Sequence, residues 1–327
     1  MPATAPLSPR RPFRPPRRLA PRPARPRPGP AAASGRAGAL LRGVRALLRG
    51  ARALLGRGRR AGPGLALRIA AGLAGVAFAG PAAASVCQSV AGILPDARLV
   101  RLAQAEGTSG KATIRYVGHS TYLIETGGGV TIATDYSGWS GPVAIPDVVT
   151  MNHAHETHWT PNPDPAIPHA LKGWGEPGEP PAAHWVEVGD ALVRNVTTDI
   201  RGWGGGVEPD GNSIFIFEIG DLCIGHLGHL HHTLGPDHYA AIGRLDVVMA
   251  PVDGGVTLNL PDMMAILKRV RASVVLPMHY WGYSSLDAFL DGMSGAFRVV
   301  RADIPSLTIT PRTLPTEPTV FVLPQGG

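Results

Sequence analysis

Three imidazoles fall within six residues in Asn152-His153-Ala154-His155-Glu156-Thr157-His158, directly after the apolar run Val148-Val149-Thr150-Met151. Imidazole is a neutral, borderline-soft donor suited to zinc, and a loop at the end of a buried strand can turn several rings toward one ion. More histidine follows other apolar runs. Leu222-Cys223-Ile224-Gly225 leads into His226-Leu227-Gly228-His229-Leu230-His231-His232, and Ser273-Val274-Val275-Leu276-Pro277-Met278 delivers His279. An isolated histidine is more often a structural hydrogen bonder, so His169, His184 and His238 receive no role. The pattern points to a metal centre assembled from strand ends.

The elements that must position these residues are short strands interrupted by turns, with helices towards the C-terminus. Strands are expected at 112–117, 122–125, 130–134, 147–151, 185–188, 192–196, 213–218, 222–224, 246–249, 273–276 and 298–300, with Gly127-Gly128-Gly129 and Gly189-Asp190 as hairpin turns. Helices are expected at 236–244, 261–271 and 285–293, each introduced by Pro or a capping residue. The Pro- and Gly-rich stretches 160–168 and 173–181, and Arg201 to Gly206, read as irregular substrate walls. Trp174 and Trp203 are either apolar contacts there or loop-packing residues.

Taken in order, Arg115-Tyr116-Val117-Gly118-His119-Ser120, the strand ending at Asp135, the His153 loop, Gly228-His229 and Pro277-Met278-His279 resemble the metallo-β-lactamase superfamily. Within it they are similar to the metal-dependent hydrolases related to ascorbate-6-phosphate lactonases. The resemblance covers about Lys111 to Val300. It implies an α/β (α+β) fold, a four-layer αβ/βα sandwich with the metal site on loops at one edge. It implies metal ligands at His153, His155, His158, His229 and His279, and His226 joins them as a candidate because it follows the same strand as His229. Asp135, His119 and His232 would form the surrounding shell, Asp135 by hydrogen bonding to the His loop.

Two departures matter. The superfamily loop is His-x-His-x-Asp-His, so Thr157 stands where a ligating aspartate belongs, and His229 stands where a bridging aspartate belongs. The reaction implied is metal-assisted hydrolysis of an ester, phosphodiester or lactone in a small-molecule or lipid-derived substrate. With Thr at 157, the general base must be Glu156 or Asp199. The expected cofactor is a divalent metal, Zn2+ before Mn2+ or Fe2+, in one tight site. The rival reading is a non-catalytic metal-binding protein that kept the fold and lost its carboxylates.

Charge is unevenly spread. Residues 1–68 hold 17 of the 31 Lys+Arg and no Asp or Glu, leaving 14 against 24, a net charge of −10, for the rest. An acidic domain without a basic stripe excludes nucleic acid as the working partner. Residues 1–62 read as a disordered Pro/Arg/Ala leader, or a mis-assigned start. Within it, residues 39–60 are either a low-complexity tract or a basic amphipathic helix able to lie on a membrane. Residues 63–85 read as a signal peptide cut near Ala84 or Ser85, or a retained anchor; 86–110 read as a linker and 111–327 as the hydrolase domain. The expected location is therefore periplasmic or on the outer side of a membrane, with residues 39–84 as a possible membrane contact and a cytoplasmic location as the alternative. Cys87 and Cys223 are not expected to pair, because Cys87 falls on a terminus given no fixed geometry. No serine-hydrolase elbow is present.

Overall fold

In the computed structural model, residues 85–88, 110–176 and 178–326 are described, and within them the Trp203 side chain is not. The leader 1–62, the signal or anchor segment up to Ala84 and most of the linker lie outside the described residues. Among the described residues no helix is long and apolar enough to cross a membrane.

Two sheets face each other. The first has six strands in the order β13-β1-β2-β3-β4-β5, built from β1 (Ala112–Gly118), β2 (Thr121–Thr126), β3 (Thr131–Ala133), β4 (Val148–Met151), β5 (His169–Lys172) and β13 (Ser306–Ile309). The second has eight, in the order β12-β14-β11-β10-β9-β8-β7-β6. These are β6 (Trp185–Val188), β7 (Ala191–Arg201), β8 (Val207–Ile219), β9 (Leu222–His226), β10 (Val247–Pro251), β11 (Val274–Met278), β12 (Arg298–Arg301) and β14 (Thr319–Val322). Strands β9, β10, β11, β14 and β12 run parallel, as do β3, β4 and β5. The parallel strands β4, β9, β10 and β11 are apolar along nearly their whole length because both of their faces are covered.

Alternation along the strands sorts the side chains into layers. Ile114, Ile124, Ile132, Phe215, Phe217, Ile224, Met249 and Leu276 fill the space between the sheets. The opposite face of the eight-stranded sheet carries Ile214, Ile216, Val248 and Val275. Onto it pack α1 (Pro236–Ile242), α2 (Leu260–Val270) and α3 (Tyr283–Met293), through Ile242, Met263, Ile266, Leu286, Phe289 and Met293. Asn259 begins α2 by accepting a hydrogen bond from the Asp262 amide at 3.0 Å.

The expected four layers are three among the described residues. Among the described residues, loops cover the outer face of the six-stranded sheet, with Tyr136, Ile167, Trp159 and Trp174 against Val117, Leu123 and Val149. Trp174 meets Trp159 edge-on, ring centroids 5.5 Å apart. It packs a loop, the second of its two expected roles. Strand β5 lies between the two irregular stretches, where no strand was expected, paired with β4 through Val148↔His169 to Met151↔Lys172.

Candidate metal centre

Every residue of the centre sits where a strand stops. Asp135 lies two residues beyond β3, His158 on the loop after β4, His229 on the loop after β9, Asp253 just beyond β10 and His279 immediately after β11, all at carboxyl ends of parallel strands. Such ends are the usual place for ligand sites in open α/β sheets. His119 joins them from the turn between β1 and β2. His119, Asp135 and His279 have φ of 49°, 50° and 54°, a left-handed conformation uncommon for residues other than glycine. The backbone holds them: the His279 amide donates to the His119 carbonyl at 2.8 Å.

Four rings converge. The possible ligand nitrogens of His119, His158 and His279 lie within 4.8 Å of one another, and His229 Nδ1 is 2.8 Å from His158 Nε2. His158 Nδ1 is bonded to the buried Asp135 carboxylate, and His279 Nδ1 donates to Asp253 Oδ1 at 3.0 Å. With both Nδ1 protons given to carboxylates, the two Nε2 atoms present lone pairs to each other at 3.2 Å. Two nitrogens bound tetrahedrally to one zinc, each at about 2.0–2.1 Å, would stand roughly 3.3 Å apart. The buried Nε2 of His119 has no hydrogen-bond partner. The donor set of His119, His158 and His279 therefore fits a divalent ion, with His229 packed against His158 at its border.

Electrostatics agree. Burial, reinforced by His279 and His158, lowers His119 to about 4. Burial, then His158 and His279, drives His229 far below its ordinary value. These rings stay neutral and keep their lone pairs at neutral pH. Burial opposes ionisation of both aspartates, but His158 holds Asp135 below the usual carboxylate range. Bonds from His279, Thr257 and the Gly255 and Thr257 amides do the same for Asp253.

The residues expected from sequence are distributed unevenly around this centre. His153 and His155 flank it: His153 is 5.2 Å from His229 between ring centroids, and the exposed His155 is 5.8 Å from His158. His153 Nδ1 donates to the Gly211 carbonyl at 2.8 Å, which fixes the ring and leaves Nε2 available. His155 Nδ1 is 3.0 Å from Thr157 Oγ1. His226 is not a ligand: its Nε2–H donates to the Ser120 carbonyl at 2.8 Å and its Nδ1 accepts from Asn152 Nδ2 and the Gly228 amide, both at 3.1 Å. Both nitrogens are spent because His226 is the last residue of β9 and still points between the sheets. His232 meets His231 at 6.5 Å rather than the inner rings. His119, expected in the surrounding shell, stands in the inner group.

The two expected bases also separate. Glu156 lines a cleft of about 340 Å3 with His153, His155, Arg201 and Glu208. Asp199 does not reach the centre. Alternation on β7 buries Thr198 and Ile200 and turns Asp199 outward, where it accepts from the Asp210 amide at 3.1 Å. Asp253 is the residue sequence reasoning missed. The signal that could have found it is a carboxylate two residues past an apolar strand, the same relation Asp135 has to β3.

The two sheets are clasped beneath the centre. Asn152 Nδ2 donates to the Ser213 carbonyl at 2.8 Å, and Asn212 Oδ1 accepts from the His229 amide at 2.7 Å. Gly228 lies between them at φ 63°, and a Cβ there would come within 2.4 Å of Asn212 and 2.6 Å of Asn152. Glycine at 228 is what lets the His229 loop close over both asparagines.

A second correction lies beyond the site. Cys87 and Cys223 are disulfide-bonded. The segment 85–88 is anchored on the domain: Ser85 Oγ donates to Glu218 Oε1 at 2.6 Å, the Cys87 amide to Glu218 Oε2 at 3.4 Å, and the Arg244 amide to the Cys87 carbonyl at 2.8 Å. Those bonds hold Cys87 in place against β9, where the sequence offers no sign of a fixed geometry.

The chain is similar to known proteins. A metal-dependent hydrolase of Salinibacter ruber is 25% identical over 211 residues, covering 56% of this chain and 91% of its own length. A metal-dependent hydrolase of Anaeromyxobacter dehalogenans is 24% identical over 239 residues, covering 60% and 84%. A crystal structure from Thermotoga maritima, of a protein placed in the metallo-beta-lactamase superfamily, is 26% identical with a TM-score of 0.47, covering 64% of this chain and 97% of that one. The family model described as the beta-lactamase superfamily domain matches residues 113–279, from β1 through to His279, and the chain belongs to that family.

Proposed function

We propose that the chain is a metal-dependent hydrolase acting on an ester, phosphodiester or lactone. The observation that carries this reading is the pair of Nε2 atoms of His158 and His279 facing each other at 3.2 Å, each backed by a carboxylate on Nδ1. The chemistry such an ion supplies is activation of water near neutral pH and polarisation of the oxygen under attack. The chain's residues do the rest. Asp135 and Asp253 hold the Nδ1 protons and so fix which nitrogen of each ring faces inward. His119 completes the donor set and His229 borders it beside His158, both kept neutral by burial. Glu156, on the cleft beside His153 and His155, is the base that takes the proton from water. Loading the purified chain with zinc and assaying bis(4-nitrophenyl) phosphate, 4-nitrophenyl acetate and a homoserine lactone tests it. Turnover of one of them, lost on chelation and in His158→Ala, is the expected result; a zinc-loaded chain inert to all three favours a metal-binding protein without turnover.

We also propose that the mature protein starts near Ser85 and works outside the cytoplasm. The Cys87–Cys223 disulfide supports this, because such bonds persist in oxidising compartments. Full-length chain recovered from the cytosol with both thiols reduced would overturn it.

A further inference from the structure

A second cleft, of about 680 Å3, reaches the metal centre at His119 and shares no lining residue with the Glu156 cleft. His119 lies on its wall, and so does Trp281, whose ring is 5.6 Å from His119 and meets His279 edge-on at 4.8 Å. Trp281 is 59% exposed and Tyr283, also on the wall, 70%. Large aromatic faces left uncovered beside a reactive centre are contact surfaces for a ligand. Their position is set by the chain itself: Trp281 is two residues from His279, and Gly282, at φ 76°, turns the loop into α3.

The charges of the two clefts differ. Arg301 is the one formally charged side chain lining the Trp281 cleft, and no carboxylate lines it. Arg301 does pair with Asp287 at 2.6 Å, but both side chains are about half exposed, and such pairs hold weakly against competition. The other cleft carries Glu156 and Glu208 against one cation, Arg201. An anionic group is therefore better accommodated in the Trp281 cleft.

We propose that the Trp281 cleft seats the non-reacting arm of the substrate, and that this arm carries a planar ring with a negative charge within reach of Arg301. The proposal rests on the hydrolase reading only in taking the histidine cluster as the reacting end. It makes Trp281 and Arg301 specificity residues rather than catalytic ones. Calorimetric titration of the full chain, metal content measured alongside, with 2-naphthyl phosphate, n-butyl phosphate and 2-naphthol tests it. Wild type should bind 2-naphthyl phosphate at least tenfold more tightly than n-butyl phosphate. Trp281→Ala, and separately the exposed Tyr283→Ala, should shrink that ratio to below threefold at unchanged zinc content. Arg301→Gln should weaken both phosphates about equally and leave 2-naphthol unchanged. A chain that takes up no zinc but shows these ratios removes the hydrolase reading and keeps the cleft assignment. A zinc-loaded chain that binds the two phosphates equally, or keeps its preference in both aromatic variants, overturns the cleft assignment and leaves the hydrolase reading standing.

Discussion

His158 and His279 come from different sheets, 121 residues apart, yet their Nε2 atoms are 3.2 Å apart and each ring is pinned from behind by a buried aspartate. Two lone pairs at that distance repel, and a shared cation turns the repulsion into two bonds. The backing carboxylates raise ring basicity and prevent the rings from turning away. The centre is thus preorganised by Asp135 and Asp253, and its ligand set can be tested apart from any reaction.

His158→Ala and His279→Ala should each remove most of the bound metal, whereas His226→Ala should keep it and lose stability instead, since His226 uses both nitrogens to bridge Ser120, Asn152 and Gly228. Asp135→Asn and Asp253→Asn should weaken metal binding by roughly 10- to 100-fold while leaving the ligands in place. Elemental analysis and competition with a chelator give the numbers. Wild-type metal content in His158→Ala would show that the centre lies elsewhere.

Wild type should hold one divalent ion tightly and a second weakly or not at all. Two divalent ions about 3.5–4 Å apart need carboxylates between them, and here Thr157 and His229 take those places. Two unit charges at 4 Å already repel by about 4 kcal/mol at an effective dielectric near 20, and divalent ions by more. Thr157 is exposed and hydrogen-bonded to His155, so Thr157→Asp should be accepted without unfolding and should raise second-site occupancy. Two equally tight ions in wild type would overturn the charge argument.

Much of the centre was legible because the signal is local. An apolar run that empties into histidine announces a strand ending at a site, and this marked His158, His229 and His279. Asp253 was hidden because Pro251-Val252-Asp253-Gly254-Gly255 reads as an ordinary turn, and its role is defined only by His279, 26 residues away. His226 and His229 could not be told apart by pattern; which one reaches the centre depends on where β9 stops and on Gly228. β13 and β14 were missed because each is four residues long with prolines nearby, and their pairing partners are distant in sequence. The fourth layer was inferred from resemblance, and among the described residues loops cover that face of the six-stranded sheet.

Arg194 and Glu218 form a buried pair at 2.6 Å, both side chains nearly inaccessible. Arg194 also donates to the Ala241 and Ile242 carbonyls, and Glu218 accepts from Ser85 and Cys87. Removing one partner of such a pair leaves an uncompensated buried charge and costs about 3–5 kcal/mol. Glu218→Ala should therefore lower the melting temperature strongly, while Asp287→Ala, which breaks the exposed pair with Arg301, should cost about 0–1 kcal/mol. Equal effects in a thermal melt would refute the contrast.

The disulfide closes a loop between residues 136 positions apart. Restricting so long a loop in the unfolded chain stabilises the native state by about 5 kcal/mol in the chain-entropy picture. At roughly 2–4 °C per kcal/mol for a domain of this size, the melting temperature should fall by about 10 °C or more on reduction. Cys87→Ser should melt where the reduced wild type melts and should not respond further to reductant. Metal content should not change, because neither cysteine contacts the histidine cluster and the anchor of residues 85–88 lies against Glu218 and Arg244 instead. If both thiols of the native, unreduced protein react with iodoacetamide, or if Cys87→Ser melts with the oxidised wild type, the bond does not hold this segment to the sheet, and the hydrogen bonds to Glu218 would have to hold it alone.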